Sequence, residues 1–91
     1  MNKRKTLLDH VWSEYVKGDR CAEIFLMEIY MHYAKIDLEA GENLAVVFKE
    51  LYLSKERLSY DDISYKYSIA LSTLQRYRKR FNDFAEKMLL R

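Results

Sequence analysis

The chain runs for ninety-one residues with no proline and only two glycines, Gly18 and Gly41. A β protein turns every few residues and draws on those two residue types to do it. Their scarcity leaves an all-α fold as the expectation. Hydrophobic residues make up 49% of the chain and charged residues 33%, a balance that suits amphipathic helices and argues against disorder. The length allows one domain, residues 1–91, with a single modest core.

Cys21 is the one cysteine, so neither an intrachain disulfide nor a cysteine-rich zinc site can form, which fits a reducing cytoplasm. His10 and His32 have no partner at ligand spacing, and no metal site is expected. The basic start turns apolar as a signal peptide does, but Asp9, His10, Ser13 and Glu14 interrupt it and no small-residue cleavage site follows. The most apolar stretch, between Ile24 and Ile36, contains Glu28, His32 and Lys35, so no membrane span is expected. The net charge of +2 is unevenly placed: residues 1–54 hold 7 Lys/Arg against 9 Asp/Glu, residues 55–91 hold 9 against 5. Four of those later cations are Arg76, Arg78, Lys79 and Arg80. Charge clustered on one element is the footprint of nucleic-acid contact, and also of an ordinary solvated helix face.

Residues 1–5 form a basic tail. Apolar pairs four apart (Leu7/Leu8, Val11/Trp12, Tyr15/Val16) predict a helix over 6–17, opened by Thr6 with Asp9 and stopped by Gly18. Trp12 is expected as a core anchor. Asp19 is a good N-cap for a helix over 19–37, followed by a loop at 39–41. That helix is apolar almost all round between Ile24 and Ile36, as in a central core helix or a seam shared by a homodimer. Leu44, Val47, Phe48 and Leu51 give a core stripe for a helix over 42–53, with Glu42 favourable at its start. Residues 54–58 read as a connector. Residues 1–41 would thus be a helical pair that braces the core or dimerises.

Residues 59–80 carry the functional signal. Ser59 and Asp62 cap a short helix over 60–67 with Ile63 and Tyr67 inward, and small Ser64 would let another helix cross closely. Residues 68–70 make a tight turn plugged by Ile69. The last helix spans 71–90, with Ser72 and Gln75 in capping-box spacing and an apolar face of Leu74, Tyr77, Phe81, Phe84, Ala85 and Met88. Opposite that face lie Gln75, Arg76, Lys79 and Arg80. A helix start bearing Ser, Thr, Gln and Arg suits a DNA major groove, where Arg pairs with guanine, Gln with adenine, and hydroxyls and Lys hold phosphates. The bland alternative is an amphipathic hairpin with a solvated basic face.

The runs FKELYL at 48–53, LSYDDIS at 58–64 and SIALSTLQR at 68–76 resemble the helix-turn-helix of the fourth conserved region of sigma-70-type factors. The run RYRKRFNDFAEK at 76–87 is similar to phage regulators of the ArpU/RinA type. The resemblance covers residues 42–90, and the segment before it matches no family pattern. It implies a helix-turn-helix unit over 42–91, with Ile63, Ile69 and Leu74 buried. It also implies DNA contacts from Leu71, Ser72, Thr73, Gln75, Arg76 and Lys79; Arg80 joins them from the basic run. Ser64 stands where the family has Ala, Ser68 where it has Gly, and Ala70 where it has a capping Ser. Ser68 must then take a turn conformation that favours glycine, and Ala70 without a cap could move the helix start to Ser72.

The function these residues point to is sequence-specific binding of double-stranded DNA by a transcription regulator. The alternatives are a sigma-like interaction module docking on RNA polymerase or another partner, and a phage DNA-packaging or replication accessory factor. An enzyme is the weakest reading: no carboxylate pair in an apolar setting, no nucleophile beside a base and no glycine-rich phosphate loop occurs, so no catalytic residue or cofactor is expected.

Overall fold

Five helices, joined by short connections, account for most of the residues described by the computed structural model, residues 6–90; no strand occurs among them. The basic tail at 1–5 lies outside the described residues. The all-α expectation holds.

Helix α1 (Leu7–Val16) opens with the expected capping box: the Asp9 N–H donates to the Thr6 hydroxyl and the Thr6 N–H to the Asp9 carboxylate, each at 3.2 Å. Gly18, at φ +100°, turns the chain at its end. Helix α2 (Arg20–Ala40) starts at Asp19, whose side chain accepts the Ala22 N–H at 3.1 Å. It ends three residues later than the sequence suggests. The expected loop at 39–41 is instead the last helical turn, closed by Gly41 in the left-handed region at φ 68°.

The misplaced boundary has a tertiary cause. Asp37 stays helical and sends its carboxylate across to the next helix, accepting the N–H groups of Leu44 (2.9 Å) and Ala45 (2.8 Å). Helix α3 (Leu44–Phe48) therefore begins at Leu44 rather than at Glu42, and its N-cap Asn43 makes no side-chain cap bond. The cap comes from seven and eight residues upstream, beyond any local signal.

A π-helical turn (Lys49–Leu53) continues α3. The wider turn brings Tyr52 back over Phe48, with ring centroids 5.2 Å apart, and leaves Phe48, Leu51 and Tyr52 all buried. Carbonyls at its end are met by side chains from elsewhere: Leu51 by Arg57 Nε (2.6 Å), Leu53 by the Tyr15 hydroxyl (3.1 Å) and Ser54 by Trp12 Nε1 (2.8 Å). Trp12 thus anchors the connector as well as the core, with the Arg57 guanidinium 4.2 Å from its ring.

Helices α4 (Tyr60–Tyr67) and α5 (Leu71–Leu89) complete the fold. The core is one cluster drawn from all five helices, including Leu8, Leu26, Ile29, Leu44, Val47, Ile63 and Leu74. Its centre is aromatic: Phe81 sits 4.9 Å from Tyr33 of α2 and 5.2 Å from Phe48 of α3, both edge to face. Burial pushes the Tyr52 phenol up to about 12, which keeps it neutral throughout the physiological range.

Candidate nucleic-acid interface

Ser59 caps α4 by accepting the Asp62 N–H at 3.1 Å. Ile63 is fully buried beneath it. The far end of α4 is pinned to the π turn, where Glu50 accepts from Lys66 Nζ (2.8 Å) and from the Tyr67 hydroxyl (2.5 Å). Those two hydrogen bonds hold the Glu50 carboxyl below its ordinary pKa against the opposing effect of burial.

The turn into α5 is tight. Ser68 takes the left-handed conformation at φ 55°, ψ 46°, as its place in the turn requires. The Ile69 N–H donates to the Ser64 carbonyl at 3.0 Å, and the Ser64 hydroxyl donates to the Ile69 carbonyl at 2.5 Å. Ser64 therefore staples the turn from both its backbone and its side chain. Ile69 packs against the core but is only half-buried, so it is a partial plug.

The expected Ser72–Gln75 capping box does not cap α5. Ala70 is the N-cap: its backbone is extended and its carbonyl accepts the Leu74 N–H at 3.0 Å. The helix is under way at Leu71, and Ser72 already lies inside it. Ala70 makes no side-chain cap bond, so the first N–H groups of α5 keep their hydrogen-bonding capacity for an anion.

Leu71, Ser72, Gln75, Arg76, Lys79 and Arg80 are exposed, and Thr73 is half-buried. Ser72, Gln75, Arg76 and Lys79 share one side of the first three turns. Their cations are lightly held. Arg76 reaches Thr73 Oγ1 at 3.4 Å, Lys79 meets Asp83 at 2.9 Å, and Arg80 lies 3.9 Å from Glu42. Exposed pairs of this kind are screened by solvent and hold their partners weakly, so a phosphate can displace the acidic partner. Asp83 and Glu86, both exposed, limit the basic face to the N-terminal part of α5.

The fourth clustered cation behaves differently. Arg78 turns inward to Asp9 at 3.3 Å, and Arg57 reaches the same carboxylate at 2.9 Å. Burial alone would raise the Asp9 pKa, but the hydrogen bonds from Arg57 and Thr6, with the Arg57 charge, hold it below the ordinary value. Beside this hub, the Asn82 side chain accepts the Leu8 N–H at 2.9 Å and donates to the Arg78 carbonyl at 2.9 Å. Arg78 and Asn82 thus fasten α5 to α1.

Residues that sequence patterning did not single out extend the surface. A shallow groove of about 470 Å³ between α5 and α2 is lined by Arg76, Lys79, Arg80 and Lys87, together with His32, Tyr33, Asp83 and Phe84. The His32 ring stacks on Phe84 with centroids 4.1 Å apart. Partial burial, then the charges of Arg80 and Lys35, depress the His32 pKa. Lys87 follows Arg80 by two helical turns, a spacing legible in sequence; His32 comes from a different helix and has no such signal. Tyr65 on α4, opposite buried Ile63 in the helical turn, is 91% exposed.

No protein-family model, no curated protein and no solved structure matches the chain. Among the described residues no group of His, Cys, Asp and Glu could hold a metal ion, and no helix is long and apolar enough to cross a membrane.

Proposed function

We propose that the chain is a sequence-specific double-stranded DNA-binding transcription regulator of the cytoplasm that lays the start of α5 in the major groove. One observation carries this reading: the exposed side of α5 that begins directly after the Ser64-stapled turn presents Ser72, Gln75, Arg76 and Lys79 together, with cations held only by weak pairs. Gln75 and Arg76 are the base-reading residues, Leu71 is the apolar contact, and Ser72, Thr73, Lys79 and Arg80 hold phosphates. Lys87, which lines the same groove as Arg76, Lys79 and Arg80, extends the backbone contact. The resemblance to sigma-type and phage regulator helix-turn-helix units supports the same assignment.

The test is selection of bound duplexes from a random pool, followed by titration of the enriched site. Binding should weaken with a log–log salt slope of about −0.9 per phosphate neutralised. Arg76→Ala should lower affinity for the selected site by about 1–3 kcal/mol and relax its sequence preference. Lys79→Ala should weaken all duplexes alike and flatten the slope by about one. If neither variant changes duplex affinity, the groove assignment fails.

A second reading is a protein-interaction module that docks on RNA polymerase. The observation favouring it is the apolar outward side of α2, where Met31 is 65% and Leu38 88% exposed. It requires no enriched duplex. A phage packaging or replication factor would read DNA with the same unit and would separate from a regulator only by the location of the selected site.

A further inference from the structure

Helix α2 packs inward through Ala22, Leu26, Ile29 and Tyr33, so its opposite side is the one that water should see. That side is apolar. Ile24 is 54% exposed, Met27 42%, Met31 65% and Leu38 88%. Together with half-buried Ala34 they occupy positions 24, 27, 31, 34 and 38. The spacing alternates three and four, the a/d repeat of a two-stranded helical seam. Single exposed apolar residues are ordinary on a protein surface. Four in heptad register along one line, with Ala34 completing it, are not, and exposed Arg20 and Gly41 occupy the next positions at either end.

We infer that this line is the seam of a homodimer in which α2 pairs with α2 of a second copy, antiparallel. Charge on the flanks decides the occupant and its direction. Glu28 and Lys35 lie seven residues apart on one flank, both exposed; Glu23 lies on the other. A parallel pair would set Glu23 of one copy against Glu28 of the other, like against like. An antiparallel pair runs the first flank along itself, so Glu28 of each copy meets Lys35 of its mate, twice by symmetry. The helix is thus self-complementary in one direction only. Beside the seam, Tyr30, Leu38 and Val46 border a shallow recess of about 450 Å³ between α2 and α3, which adds apolar area to the contact. The seam from Ile24 to Leu38 is about 21 Å long, a short one, so the contact belongs among the small interfaces.

The experiment is sedimentation equilibrium of the full chain without DNA, up to about 100 μM, a range that captures such small interfaces. A dimer is expected. Met31→Glu should give a monomer with an unchanged helical spectrum, because Met31 touches solvent rather than the core of its own chain. Glu28→Lys and Lys35→Glu should each raise the dissociation constant about tenfold, through like-charge contact, and the double exchange should restore it. Antiparallel pairing holds the two Cys21 residues about 30 Å apart, too far for a disulfide. Under mild oxidation the wild type should therefore stay uncrosslinked, whereas Met31→Cys, close to the two-fold axis, should crosslink. A monomeric wild type, a dimer that survives Met31→Glu, a double exchange that fails to restore, or rapid Cys21 crosslinking would each overturn the proposal. Because no DNA is present, its failure is distinct from failure of the DNA-binding reading.

Discussion

Helices α2 and α5 are nearly equal in length, at 21 and 19 residues, and their inward faces are alike. Both present aromatic and aliphatic side chains to one core, and Tyr33 of α2 meets Phe81 of α5 edge to face. Their outward faces share nothing. That of α2 is an apolar line with charges on its flanks, and that of α5 is polar and basic at its start and mixed further along. The contrast teaches that inward chemistry sets the fold whereas outward chemistry sets what each helix can meet. An apolar line suits another protein surface and a lightly paired cationic face suits a polyanion.

The largest test of the shared inward face is Phe81→Ala. Removing a fully buried ring from the centre of the aromatic cluster should destabilise the protein by about 3–5 kcal/mol. Unfolding followed by helical signal and by Trp12 fluorescence should remain coincident. Separated transitions would mean that α2 and α5 do not share one cooperative core.

The next test concerns where α5 is fastened. Asp9→Ala removes half of the α1 capping box and both arginine contacts, and should destabilise by about 2 kcal/mol. The carboxyl has a lowered pKa in the fold, so its contribution is full above the unfolded aspartate value and disappears as pH falls through the folded one. Melting temperatures of wild type and variant should accordingly differ at neutral pH and begin to converge only as the pH falls below about 4, the ordinary aspartate value. A gap that persists in acid would show that the carboxylate charge is not the tie.

Smaller effects should mark the turn between α4 and α5. Ser68→Gly relieves a left-handed backbone, and Ala70→Ser supplies a side-chain cap; each should stabilise by about 0.5–1 kcal/mol in denaturant titrations. The smallest effect belongs to the outward faces. Arg76→Ala and, at concentrations low enough to keep the chain monomeric, Ile24→Ser should each stay within about 0.5 kcal/mol of wild type, since neither residue is buried in the single chain. Arg78→Ala, two residues from Arg76, should exceed both because Arg78 is tied to Asp9. Equal losses at Arg76 and Arg78 would erase the distinction between inward and outward cations on this helix.

Much of the architecture was legible because its signals are local. Thr6, Asp19 and Ser59 cap the helices they precede, and each acts within three residues. The stripe of Leu44, Val47, Phe48 and Leu51 is buried because helical periodicity puts those positions on one side. The left-handed Ser68 was legible through the resemblance, which implies a glycine-type conformation at that position. Where the local reading failed at Asp37, the cause is a partner far away in the chain. Asp37 looked like a helix end because its use as a cap for α3 is a tertiary contact. Ser72 with Gln75 had capping-box spacing, yet the helix starts before it, at Leu71, with Ala70 as its N-cap. Arg78 belongs to the clustered cations by sequence, and only the fold brings Asp9, sixty-nine residues away in sequence, to within 3.3 Å of it.

The sequence by itself therefore determined the helical class, most helix starts and the residues available at the start of α5, because capping and periodicity act over a few residues. Only the tertiary structure decided which arginine is tied and which are free, where α2 ends, and which side of α2 stays apolar in water. Those outcomes depend on which distant groups the packed core brings together, and no short stretch of chain contains that information.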